Sequence, residues 1–165
     1  MEYKQEVIIK NIDSLDVIRS FHNHNFIEFL ILLQPVKINS WKGIDTGQKA
    51  SFSFWFFGWR QMSVVHENYK VSRGYLQFED IGDKLPFGIL NWKHKHIIRA
   101  HEEGAIIIDE VWFEKDSRFL TIMLAPLMLF PVFIRKLTYR IWFYLLEGRV
   151  WTSFRRVQND NALFN

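Results

Sequence analysis

Hydrophobic positions along the chain follow two different periods, and the switch between them outlines the fold. Residues 3–10 read as a strand with Val7, Ile8 and Ile9 at its centre. Asp13-Ser14 is placed to cap a helix beginning at Leu15, because a short oxygen-bearing side chain can accept from the free N–H groups of a first turn. Leu15, Ile18 and Phe21, then Phe26, Phe29, Leu30 and Leu33, step by three and four. His22-Asn23-His24-Asn25 interrupts the series, so two short helices are predicted, closed by Pro35.

From residue 36 to 115 the period becomes two. Residues 49–57 set Ser51 and Ser53 against Phe52, Phe54 and Phe56, and further strands are predicted at 61–69 and 74–80. Gly82-Asp83-Lys84-Leu85-Pro86 is a turn cluster. In residues 87–100, Lys93, Lys95 and Arg99 alternate with Trp92, His94, His96 and Ile98. Glu103-Gly104 turns the chain into a returning strand, 105–115, carrying Ile106, Ile107, Ile108, Val111, Trp112 and Phe113. Closely spaced strands joined by hairpins make an antiparallel meander.

The chain then predicts a long helix over 126–154. Leu127, Phe130, Ile134, Leu137, Ile141 and Leu145 share one face, with Lys136, Arg140 and Glu147 nearly opposite. Pro131 should kink it, and Gly148 falls on the apolar face. The reading is one α+β domain over residues 1–157 and a tail over 158–165. A curved antiparallel sheet of about seven strands wraps a long C-terminal helix, with two short helices after the first strand. A sheet with one apolar face needs cover. The terminal helix is the only element long enough to supply it, and a curved sheet on a single helix leaves room for a ligand cavity.

Composition narrows the function classes. The 165 residues suit a single domain, and 48% hydrophobic with 17% aromatic content excludes a mainly disordered chain. With no cysteine there is no disulfide, thiolate metal site or cysteine nucleophile. A formal charge of +3 is too weak to argue for nucleic acid as a partner. The first ten residues lack a basic segment followed by an apolar one. The longest apolar run, 119–134, contains Pro126 and Pro131 and falls short of the roughly 20 residues of a spanning helix, so a cytoplasmic location is expected. No Gly-rich phosphate loop, Gly-x-Ser-x-Gly or His-Glu-x-x-His occurs.

Three local patterns resemble a known family. Phe21-His22-Asn23 with Leu33-Gln34-Pro35 is similar to a segment near that family's start. Leu76-Gln77-Phe78-Glu79-Asp80 followed by Leu85-Pro86-Phe87 resembles its F-x-D … G-P-F hairpin. Trp92-Lys93-His94-Lys95-His96, then Gly104 and Asp109-Glu110-Val111-Trp112-Phe113, resembles W-x-H-x-H-x-F … G-x-x-x-x-D-x-V-x-Y, the most specific match. The family is the START-like, or SRPBCC, superfamily of polyketide cyclase-like, coenzyme-Q-binding-like and birch-pollen-allergen-like proteins. The resemblance implies a helix-grip fold with a cavity and, by its typical members, a small cytoplasmic bacterial protein. Residues 118–131 depart from it, being rich in large apolar residues where the family often has a Gly-rich linker.

The candidate site follows from strand alternation. His94 and His96 share a face with Trp92, opposite the lysines, and so point inward. Asp109 shares a face with Val111 and Phe113, and charge content places it inward beside the histidines; Asp80, on the face of Leu76 and Phe78, is a second candidate. The cluster reads as a structural hydrogen-bonded network, as an anchor for the polar head of an apolar ligand, or as acid–base machinery on a polyketide-like substrate. A His-x-His pair can also hold zinc, but the sequence offers no clear third ligand, and no metal or cofactor is expected.

The ligand-binding set is Trp92, His94, His96, Asp109, Phe113, Phe54, Phe56, Phe130, Ile134, Leu137 and Ile141. The expected function is binding of a lipid, quinone or polyketide-like molecule without catalysis. The alternatives are a cyclase- or dehydratase-like enzyme using His94, His96 and Asp109, or an interaction module. Trp55 and Phe57, Trp112 and Phe143 read as outward aromatics, which suggests a peripheral membrane contact or a homodimer. His22 and His24 read as loop residues. Arg135, Lys136, Arg140, Arg149, Arg155 and Arg156 read as a solvated basic face.

Overall fold

Strand β1 spans Glu2–Lys10, and helices α1, Ser14–Phe21, and α2, His24–Ile31, follow it in this computed structural model, which describes residues 1–146. Asp13 caps α1 by accepting from the Leu15 N–H at 2.7 Å, and Asn23 caps α2 by accepting from Asn25 at 2.9 Å. The His22–Asn25 interruption is therefore the end of one helix and the cap of the next. His22 bridges the break to the sheet, with its ring nitrogens at 3.0 Å from the Ile18 carbonyl and 2.9 Å from the Tyr69 hydroxyl.

Six more strands follow: β2 Val36–Ser40, β3 Lys49–Trp55, β4 Trp59–Ser72, β5 Tyr75–Lys84, β6 Ile89–His101 and β7 Gly104–Lys115. They form one antiparallel sheet in the order β1-β7-β6-β5-β4-β3-β2. The β6–β7 turn needs Gly104: its φ is 143°, and an added Cβ would collide with the Ile9 carbonyl oxygen of β1. β3 ends two residues short of the predicted strand, where Phe57 (φ 47°) and Gly58 (φ 123°) turn the chain.

The terminal helix differs most from expectation. It starts at Arg118, eight residues before the predicted start, as α3 (Arg118–Phe133), and continues as α4 (Arg135–Ile141) and a π-turn over Trp142–Leu146. The predicted helix end, Gly148, the basic residues Arg149, Arg155 and Arg156, and the tail 158–165 lie outside the described residues. Pro126 and Pro131 lie inside α3, and the break between α3 and α4 falls at Ile134, three residues after Pro131. Proline supplies no N–H to the helix ladder and weakens it at that point. The 29 residues 118–146 are long and apolar enough to cross a membrane by length and composition, with a mean hydropathy of 1.7 over their most apolar 18 residues. Their inner side is nonetheless packed on the protein, through Thr121, Ala125, Met128, Val132, Thr138, Tyr139 and Phe143.

That inner side is not the predicted stripe. Leu137 and Phe130 are 49% and 48% exposed, Leu145 is exposed, and Phe143, read as an outward residue, is fully buried. The physical reason is that α3 is apolar all round, so the three-and-four spacing has no polar contrast to fix its rotation. Trp55 and Phe57 are exposed, but Phe57 lies in the turn past the end of β3 rather than on an outer strand face, and Trp55 is at the end of the strand.

Two apolar clusters result. One gathers Phe21 and Phe26 of the short helices with Leu76, Phe78, Ile98, Ile107, Tyr139 and Phe143. The other gathers Ala50, Val64, Trp92, Val111 and Phe113 under Ala125, Met128 and Val132 of α3. Along β6 the inward residues run Ile98, His96, His94, Trp92, so the histidines lie between the two clusters.

Candidate functional site

A belt of polar side chains crosses the inner face of five adjacent strands. Gln5 (β1) pairs across the ladder with Asp109 (β7), Asp109 with His96 (β6), His94 (β6) with Asp80 (β5), and Asp80 with His66 (β4). Each is an inward position of its strand, so the cross-strand register itself assembles the belt. His66 Nδ1 lies 2.8 Å from Asp80 Oδ1, and His96 Nε2 lies 3.2 Å from Asp80 Oδ2. His94 Nε2 lies 3.2 Å from Asp109 Oδ1. His96 Nδ1 is 2.9 Å from the same oxygen, an ion-pair contact without hydrogen-bond alignment. The helix covers the belt: Tyr139 donates to Asp109 Oδ2 at 3.2 Å, and Arg135 Nη1 approaches Asp109 Oδ1 at 3.8 Å.

Burial and neighbours set the charges. Burial alone would raise both carboxyl groups. Hydrogen bonds from His66 and His96 to Asp80, and the His94 hydrogen bond together with the close approach of His96 to Asp109, outweigh it and hold both well below the usual carboxylate range. Burial and the neighbouring His96 push His94 down to about 4, so it is neutral at pH 7. Burial also opposes a charge on His96, but its contacts with Asp109 and Asp80 prevail and raise it. Burial raises Tyr139 well above the usual phenol value, keeping it a donor. With Arg135 positive, both aspartates negative and His96 drawn toward its charged form by them, the charges of the belt largely offset one another.

Beside the belt lies a cavity of about 360 Å³ between the sheet and α3. Phe52, Phe54, Met62, Val64 and Trp92 form its sheet wall, and Pro126, Leu127, Met128, Phe130 and Pro131 its helix wall. Ile31, Gln34, Pro35, Val36 and Trp55 complete it, and Asp80, His94 and Arg135 are its charged or titratable members. A second, shallower apolar groove on the outer side of α3 is lined by Tyr3, Ile122, Leu129, Phe130 and Phe133, among others.

No family model matches the chain, and no curated protein sequence is similar to it. Solved structures do match. A protein from Mesorhizobium loti is similar over 86% of this chain and 96% of its own, with 14% identity and a TM-score of 0.56. Ginseng major latex-like protein 151 from Panax ginseng matches over 84% and 95%, with 8% identity and a TM-score of 0.56. The Aha1 dimer from Colwellia psychrerythraea matches over 88% and 97%, with 8% identity and a TM-score of 0.56. The chain has the helix-grip fold. Its seven-stranded sheet, two short helices after β1 and long terminal helix are the parts of that fold.

On the helix-grip frame the nominated ligand-binding residues separate into three groups. Trp92, His94, Phe54 and Phe130 stand on the cavity wall. His96 and Asp109 lie in the belt beside His94 and do not line the cavity. Phe113, Phe56, Ile134, Leu137 and Ile141 do not line it either. Phe113 is wholly buried in the core under α3. Phe56 lies beyond the end of β3, where alternation no longer applies, and packs against Phe57 and Phe87. Ile134 sits at the α3–α4 break, and the rotation of the helix turns Leu137 and Ile141 away from the cavity.

Sequence reasoning missed five polar residues, one of them Tyr139, the donor to Asp109 from α4. Arg135, taken as part of a solvated face, points inward for the same rotational reason. Gln5 and His66 carried a usable signal, since Gln5 alternates with Val7 and Ile9, and His66 with Val64. Gln34 lines the cavity with its amide donating to the Leu30 and Pro131 carbonyls, a tertiary arrangement with no local signature.

Proposed function

We propose that this protein binds a hydrophobic or amphipathic small molecule of the lipid, quinone or polyketide-like class in the cavity between the sheet and α3. One observation carries the reading: an apolar space of about 360 Å³ that reaches Asp80, His94 and Arg135. That size lies at the lower end of small-molecule sites, about 300–1,000 Å³, and a few convergent polar groups in an apolar wall are what orient a ligand. Hydrocarbon buried there contributes about 25 cal/mol per Å² removed from water. The polar head meets neutral His94 and the Arg135 guanidinium. Ligand retention through purification, read by native mass spectrometry, tests this.

Binding is favoured over turnover. A histidine with a pKa of about 4 is a weak base at neutral pH, and His96 and Asp109, its candidate partners in acid–base work, do not line the cavity.

The cavity rim supports a peripheral membrane contact as well. Trp55 and Phe130 border the cavity, and Phe57, 84% exposed, lies 6.3 Å from Trp55 between ring centres. Trp59 is exposed with Lys37 Nζ 4.1 Å above its ring. Exposed aromatics beside lysine suit the headgroup region of an anionic bilayer. Flotation with vesicles tests this contact, and self-association through the same apolar face is the outcome that would replace it.

A further inference from the structure

The geometry points to a divalent metal site of the zinc class, formed by Asp80, His94 and His96 at the inner end of the cavity. This site stands on its own donors and does not depend on what the cavity holds. One donor atom from each of the three residues lies within 4.8 Å of the other two. His96 Nε2 is 3.2 Å and His94 Nδ1 4.0 Å from Asp80 Oδ2. Donors around a tetrahedral cation with bonds near 2.1 Å stand about 3.4 Å apart, so the two separations bracket the requirement.

The remaining atoms of the same residues are held as outer-shell partners hold metal ligands. His94 Nε2 faces Asp109 Oδ1 at 3.2 Å, and His96 Nδ1 faces it at 2.9 Å. Asp109 Oδ1 takes the far N–H of His94 and lies against the far nitrogen of His96, which holds both rings and leaves their near nitrogens to bind the cation. Asp109 is itself fixed by Gln5 and Tyr139. The second oxygen of Asp80 is taken by His66 at 2.8 Å, which leaves Oδ2 as the ligating atom. Among the described residues Arg135 is the basic side chain that lines the cavity, and its approach is to Asp109 rather than to the ligating Asp80.

Two imidazoles and a carboxylate suit zinc, with a fourth position for water or an oxygen of the cavity ligand. Asp80 and His94 both line the cavity, so that position has an entry path. Asp80 is the third ligand that the His-x-His spacing alone did not supply.

The test is titration of chelator-treated full-length protein with cobalt(II), followed by zinc competition. One equivalent should give the intense visible spectrum of a four-coordinate site, displaced by zinc. X-ray absorption of the zinc-loaded protein should then show two imidazoles with oxygen completing the shell. Asp80→Asn should weaken zinc by more than about a hundredfold, while Asp109→Asn, an outer-shell change, should cost about ten- to a hundredfold. A His24→Ala/His101→Ala variant should bind zinc as the unaltered chain does. A weak six-coordinate cobalt spectrum, no uptake, or loss of binding in the His24→Ala/His101→Ala variant overturns the assignment. The cobalt and absorption arms use unaltered protein, so the test survives a variant that fails to fold.

Discussion

Gln5 donates one amide group to both Asp109 Oδ2, at 2.9 Å, and the Val132 carbonyl of α3, at 2.8 Å. The edge strand, the buried carboxylate and the gripping helix are thus tied at a single side chain. A hydrogen bond to a charged, buried acceptor contributes about 1.5–3 kcal/mol, and removing the donor leaves the acceptor undersatisfied. Gln5→Ala should lower unfolding stability by about 2–3 kcal/mol. Chemical denaturation measures it, and a loss under about 0.5 kcal/mol, the level of an inert surface change, would refute the tie.

Asp109 is the hub of the belt. Asp109→Ala leaves Arg135 and His96 without their shared counter-charge in a buried place, which should cost about 3–5 kcal/mol. Adding Arg135→Leu should return part of that loss, because an unpaired buried cation is then removed. A double variant no more stable than Asp109→Ala in urea denaturation would contradict the coupling.

Stability should peak near neutral pH. The folded value of His94 is depressed from 6.5 to about 4, so below about 6.5 the unfolded chain takes up a proton that the fold refuses, and stability falls as pH drops. His96 is raised, so its contribution is present below about 6.5 and is lost as pH climbs through the folded value. Asp80 and Asp109 are depressed, so their contribution is lost only in stronger acid. Denaturant midpoints across this range should form a dome, and His94→Leu should flatten its acid limb. An unchanged acid limb in that variant would refute the assignment of the limb to His94.

The aromatic hairpin tip predicts membrane affinity. Replacing Phe57 and Trp59 by serine should cut binding to anionic vesicles at least about tenfold, since each apolar side chain withdrawn from water contributes about 1.5–3 kcal/mol. Flotation measures it. Equal binding by both proteins, or sedimentation showing a stable dimer lost on substitution, would replace the bilayer with a second copy as the occupant.

Much of this architecture is legible in the residues. Asp13 announced its cap, the alternation of Trp92, His94 and His96 against Lys93 and Lys95 fixed a strand face, and Gly104 marked its turn. The terminal helix was not legible in the same way. With apolar residues on every side of α3, nothing local tells Met128 and Val132, which are buried, from Phe133, which is half exposed. That ambiguity hid Arg135 and misplaced Ile134, Leu137 and Ile141. Phe113 and Phe54 are both inward aromatics on strands, and only the placement of α3 makes one core and the other cavity wall.

The central claim is an open apolar cavity that takes a ligand. Leu127→Trp should narrow that space without disturbing the belt, leaving stability within about 1 kcal/mol of the unaltered chain. Native mass spectrometry of both proteins, purified from their own host and then loaded with a graded series of fatty acids, is the most direct measurement. The unaltered chain should retain a ligand and gain about fourfold in affinity per added methylene until the cavity is full, at about 0.8 kcal/mol each, while Leu127→Trp reaches its ceiling at a shorter chain and loads less. Absence of any retained or added ligand on the unaltered chain, or equal loading of the two proteins, would contradict it.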